Sequence, residues 1–146
     1  MSEKMYAKAK ASRLENDLAN TFWSLGYAVI RGPSSGAGVS KRYSPDLLAI
    51  KDGIILVFEI KSKRKSGSLY IDSSQILGLQ EFAKRAKGIP IIAFKSRGKE
   101  WKFHFLNNLE STGKNFKLNS PDDGLKLRDL EELFFRKHKD LNEYLL

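Results

Sequence analysis

Leu14, Leu18, Phe22 and Leu25 recur every three to four residues, the spacing that gathers apolar side chains on one face of a helix. Ser12 ahead of the run and Gly26 behind it set the ends of a predicted first helix over residues 12–25. The pattern then changes. "YAVIR" (27–31) predicts a short strand, and "GPSSGAGVSKRYSP" (32–45) a loop too long for a tight turn, of the kind that usually binds something. Two apolar runs meet at Asp52-Gly53, the dipeptide of a two-residue hairpin. Beyond the polar "SKRKSGS" (62–68), a helix is expected from Ser73 to Lys87, closed by Gly88. "IPIIAFK" (89–95) and the alternating "EWKFHFL" (100–106) predict further strands, and Leu127 to Tyr144 a last helix. The order αβββαββα predicts an α/β fold, a mixed central β-sheet flanked by helices. No repeat, low-complexity tract or linker divides residues 1–146, which read as one domain.

The hairpin carries residues that an interior sheet normally avoids. A turn at 52 and 53 pairs positions whose numbers sum to 105, so Asp46 is expected to face Glu59. Directly opposed side chains have Cβ atoms about 4.5–5.5 Å apart and share a side, which Lys61, two residues past Glu59, shares too. Around them both faces are apolar, with Leu48, Ile50, Ile55 and Val57 on one and Leu47, Leu56, Phe58 and Ile60 on the other. An ionised carboxylate there is costly unless it is paired or metal-bound. A divalent cation would relieve the repulsion between the two acids, and magnesium suits oxygen ligands of this kind. The plainer alternative is a cross-strand ion pair of Glu59 with Lys61 at a sheet margin. Glu15 lies roughly 60° from the centre of the first helix's apolar stripe and would supply a third carboxylate. Ser12-x-x-Glu15 equally fits a capping box, in which Glu15 bonds back to the Ser12 amide.

Composition narrows the classes. At 146 residues and 41% hydrophobic, the chain suits a single core. No apolar run approaches the roughly 20 residues that span a bilayer, so no membrane partner is expected and the protein reads as soluble and cytoplasmic. With no cysteine and two isolated histidines, any metal would be held by oxygen. Residues 1–117 hold 21 Lys+Arg against 10 Asp+Glu, net +11, whereas residues 118–146 hold 5 against 7, net −2. Basic clusters at Lys8/Lys10/Arg13, Lys61/Lys63/Arg64/Lys65, Lys84/Arg85/Lys87 and Lys95/Arg97/Lys99/Lys102 favour a polyanion partner over a merely solvated surface. No small-molecule substrate is suggested.

Pro45-Asp46, a hairpin, then Glu59-Ile60-Lys61, with Glu15 upstream, resembles the PD-(D/E)xK nuclease superfamily. "AVIRGPSSG" before that set and Gln75 opening the next helix narrow the resemblance to archaeal-type Holliday junction resolvases, cellular or viral. It covers about residues 8–105, the nuclease core, and leaves a C-terminal helical segment of about 118–146 unmatched. The resemblance implies a restriction-endonuclease-like fold and a metal-dependent homodimer that nicks two opposed strands of four-way junction DNA. It implies that Asp46, Glu59 and Glu15, with the Ile60 backbone carbonyl, hold Mg2+, or alternatively Mn2+, and that Lys61 orients a water or steadies the phosphate. Ser35 matches the family's catalytic serine, although Ser34 and Ser35 also suit an ordinary turn. Arg31 and Gln75 would contact DNA together with Lys8, Lys10, Arg13, Lys63, Arg64 and Lys65. Two other readings stand beside it: a duplex nuclease of restriction or repair type, and a DNA-binding protein of the same fold that does not cut. Trp101, Phe103 and Phe105 are expected to face the core or a dimer interface.

Overall fold

The computed structural model describes residues 2–33 and 42–135. Helix α1 (Glu3–Ser24) is followed by strands β1 (Ala28–Arg31), β2 (Leu47–Lys51), β3 (Ile54–Lys63) and β4 (Leu69–Asp72), helix α2 (Ser73–Ala86), then β5 (Ile89–Ser96), β6 (Lys102–Phe105), β7 (Glu110–Ser111) and β8 (Asn115–Leu118). Residues 127–135 are helical. One sheet runs β1-β2-β3-β5-β6 and a second, smaller one β4-β8-β7. β3 and β5 pair in parallel, the remaining pairs are antiparallel, and the main sheet is therefore mixed.

The hairpin register follows from its turn. Asp52 and Gly53 both take positive φ, 51° and 78°, as a twist-matched two-residue turn requires. Leu47 then pairs Phe58 and Leu48 pairs Val57, the expected register. Alternation along β2 and β3 feeds two cores. Leu47, Ala49, Leu56 and Phe58 pack with Leu18 and Phe22 of α1, Phe103 of β6 and Leu130. Val57 packs on the opposite face with Ile76 and Leu79 of α2, Ile71 of β4 and Leu118 of β8. Phe22 sits 5.1 Å from Phe58 and 6.1 Å from Phe103, centroid to centroid. Trp101, Phe105, Leu127, Phe134 and Phe135 are half-buried against this same core, so most of the described apolar positions after residue 100 pack on their own chain.

Several boundaries differ from expectation. α1 starts at Glu3 instead of residue 12, with Ser2 as its cap accepting from the Met5 amide at 3.2 Å. Its first turns carry alanine and lysine, good helix formers that leave no apolar stripe to read. Ser12 lies inside the helix, so the capping box does not form. α2 is closed by Lys87 in the left-handed conformation, φ 53°, not by Gly88. The strand read over 100–106 shortens to Lys102–Phe105 because Leu106 begins a 3-10 turn. β4, β7 and β8 were not expected, and Leu118, assigned to a helical segment, ends β8. His104 is buried behind β6, its Nε2 2.7 Å from the Pro121 carbonyl oxygen. The last helix beyond residue 135 lies outside the described residues, as do Ser34, Ser35 and the rest of 34–41.

Candidate active site

Three backbone devices aim the acids. Gly32 donates its amide to the Asp46 carbonyl at 2.9 Å, extending the β1–β2 pairing by one step. A Cβ on Gly32 would fall 1.9 Å from the Pro45 carbonyl oxygen, so glycine alone permits this approach. On the other side the Asp46 amide donates to the Phe58 carbonyl at 3.0 Å. Regular β2–β3 pairing therefore stops at Leu47, and the expected ladder partnership of Asp46 with Glu59 gives way to a side-chain contact: Asp46 Oδ2 accepts from the Ile60 amide at 2.7 Å. The two acids remain neighbours across the hairpin. Glu59 is only 4% exposed.

Their electrostatics follow from that burial. Desolvation, then the charge of Glu59, pushes the Asp46 carboxyl up to about 7 against the pull of the Ile60 N–H. Desolvation likewise raises Glu59, opposed by the Tyr43 hydroxyl and by Lys61. Such a pair holds negative charge poorly by itself, which is the condition a divalent cation relieves. Oxygen-only ligands and near-neutral protonation fit a hard ion. Among the described residues, however, no group of three His, Cys, Asp or Glu stands close enough to hold a metal.

Glu15 explains the gap. Its Oε2 lies 2.8 Å from Arg31 Nη2, and Arg31 Nη1 donates to Asn16 Oδ1 at 2.6 Å. Glu15 is thus tied to β1 by an ion pair, although its charge still raises both Asp46 and Glu59. Among the described residues, Arg31 Nε is buried without a partner. Lys61 Nζ stands 3.6 Å from Glu59 Oε1 and donates to Gln75 Oε1 at 2.8 Å, so Gln75 steers the amine. Tyr43, which no sequence motif singled out, donates to Glu59 Oε2 at 2.6 Å. Asn16 was missed as well; its place one residue past Glu15 was the only signal.

Three of the four basic clusters converge. Lys10 and Arg13 of α1, Arg64 after β3, Lys95 near the end of β5 and Arg97 just past it line a groove of about 330 Å³. Leu14 and Ser62, the sequence neighbours of Glu15 and Lys61, border it as well, while the acids themselves do not line it. Arg64 stacks over the Tyr6 ring at 5.8 Å. Lys63 turns instead to the Ser68 carbonyl, while Lys8 and Lys65 are exposed. Lys84, Arg85 and Lys87 sit at the end of α2 and do not line the groove.

An acid pair and an amine on the inner strands of a mixed sheet, covered by helices on both faces, define the restriction-endonuclease-like class of nuclease folds. Within that class, the chain belongs to the archaeal Holliday junction resolvase family, Hjc, whose model matches residues 6–139. The match runs well past residue 105, so the C-terminal segment shares the likeness that the sequence reading confined to the core. The chain is 33% identical over 125 residues to the crossover junction endodeoxyribonuclease Hjc of Sulfurisphaera tokodaii, covering 84% of this chain and 86% of that one. It is 37% identical over 108 residues to the Hjc of Sulfolobus acidocaldarius, 74% of each chain. The crystal structure of Archaeoglobus fulgidus Hjc, a Holliday junction resolvase from an archaeal hyperthermophile, superposes with a TM-score of 0.73 at 31% identity, covering 84% of this chain and 98% of that one. Among the described residues no helix is long and apolar enough to cross a membrane.

Proposed function

We propose that this protein is a metal-dependent endonuclease that resolves four-way DNA junctions by paired symmetric nicks. One observation carries the reading: buried Glu59 and half-buried Asp46, mutually repelling carboxylates, stand by Lys61, whose neighbour Ser62 borders a basic groove, in a chain of the Hjc family. Magnesium, or manganese in its place, would be held by Asp46 and Glu59 with the Ile60 carbonyl. When bound, it would lower the pKa of a water and stabilise charge on the scissile phosphate. Lys61, steadied between Glu59 and Gln75, orients that water or the phosphate. Glu15 either joins the ligand set by releasing Arg31 or serves by fixing α1 to β1. Release would free the Arg31 guanidinium for a DNA phosphate, a task shared with Lys8, Lys10, Arg13, Lys63, Arg64 and Lys65. Ser35, outside the described residues, is assigned the phosphate contact that the family resemblance implies. Two nicks need two sites, so the working unit is a homodimer, and the nuclease domain spans the whole chain.

The test uses end-labelled four-way junctions and matched linear duplexes, each with magnesium and with chelator. Paired cuts in the junction alone, and only with magnesium, are expected. Equal cutting of the duplex would move the protein to the general nuclease class, and binding without cutting to the inactive one.

A further inference from the structure

Tyr43 joins the two acids through a segment of only a few residues. Its hydroxyl donates to Glu59 Oε2 at 2.6 Å, whereas Lys61 Nζ stands 3.6 Å from the other oxygen, Oε1. The tyrosine is itself held. Its ring lies against α2 at Gly78, where a Cβ would come within 2.5 Å of Tyr43 Cγ and 2.6 Å of Cδ2. Glycine is a poor helix former, and inside α2 it gives the ring a seat that any side chain would fill. Two residues on, buried Pro45 restricts Ser44 to extended backbone and so fixes the path from Tyr43 to Asp46. The donor to one acid and the other acid therefore come from one stiff stretch of chain.

We propose that Tyr43 is a positioning residue that determines which ion the site accepts. This rests on the metal-dependent reading above. With one lone pair of Oε2 taken and the carboxylate oriented by the hydroxyl, Glu59 presents Oε1 to an ion more readily than both oxygens together, so closure with both is disfavoured. Small ions such as magnesium and manganese take carboxylates one oxygen at a time in octahedral geometry, whereas calcium readily accepts two oxygens of one carboxylate. Hydrogen bonds to ligating carboxylates also tune affinity directly. Tyr43 thus favours the small ion twice, by orienting the carboxylate and by disfavouring the two-oxygen mode.

Tyr43→Phe keeps the ring in its seat and removes only the hydroxyl. Mn2+ is titrated into the free protein, with the signal of the unbound ion followed by electron paramagnetic resonance, and Ca2+ is then used as competitor. The variant should bind Mn2+ roughly 10–100-fold more weakly and lose preference for Mn2+ over Ca2+. It should still fold cooperatively, with some loss of melting temperature from the deleted hydrogen bond, and its junction affinity in chelator should match the wild type. An unchanged Mn2+ affinity and Mn2+/Ca2+ ratio overturn the role of Tyr43 while leaving the metal-dependent reading intact. A wild-type protein that takes up no Mn2+ overturns that reading itself.

Discussion

Asp46 has a carboxyl raised to about 7 by burial and by Glu59, so in the folded protein it keeps its proton over a range in which an unfolded chain has lost it. Folded and unfolded forms then differ in bound protons between about pH 4 and pH 7, the folded form binding more, and stability must fall as pH rises through that window. Glu59 is raised in the same direction. The melting temperature measured in chelator should decline from about pH 4 to pH 7 and level off above, and Asp46→Asn should reduce the slope. A rise over that window would sink the assignment of burial as the dominant cause. Glu59 and Lys61 were legible as sharing a face because alternation and an Asp-Gly turn fix the hairpin, whereas Asp46, one step beyond the ladder, meets Ile60 in place of its expected partner. Tyr43 was not legible, since no periodicity governs a residue at the end of a loop, and its partner Gly78 is silent until α2 is seen beside it.

At the scale of elements, α1 and β1 are joined by Glu15 and Arg31, a half-exposed pair that by itself is worth little, about 1 kcal/mol or less. Glu15→Gln should therefore shift melting by only about 2–4 °C for a chain of this size. If Glu15 also serves the chemistry, the same variant should lose junction cleavage out of proportion to that shift; normal single-turnover cleavage would leave Glu15 a purely structural tie. The local sequence could not separate these roles, because Ser12-x-x-Glu15 satisfies a capping pattern wherever it falls, and only the nine earlier residues of α1 show that no helix starts there. Long periodic elements such as α2 were readable. The small sheet was not: β4 and β8 are four residues each and β7 two, too short for an alternation to stand out from loop sequence.

For the molecule as a whole, a junction has two strands to cut, and the described residues of each chain hold one such acid pair. A two-fold dimer matches the symmetry of that DNA. Sedimentation should give a mass near twice 16.6 kDa, and dimers mixing wild type with Glu59→Gln should nick one strand without releasing two duplexes. A monomer that still resolves junctions would refute the pairing. Trp101, Phe103 and Phe105, expected to face the core or a dimer interface, pack on their own core, so among the described residues they mark no dimer surface.

The pairing of β4 with β8 joins Leu69–Asp72 to Asn115–Leu118 across the whole of α2, β5 and β6. Leu69 and Ile71 bury their side chains in the core that Leu118 helps to cover. A chain growing from the ribosome thus presents a bare apolar strand until residue 118 has emerged, and only then can the α2 side of the sheet close. Because synthesis runs from the N-terminus, the hairpin that carries Glu59 and Lys61 is made before the small sheet that seals its neighbouring core.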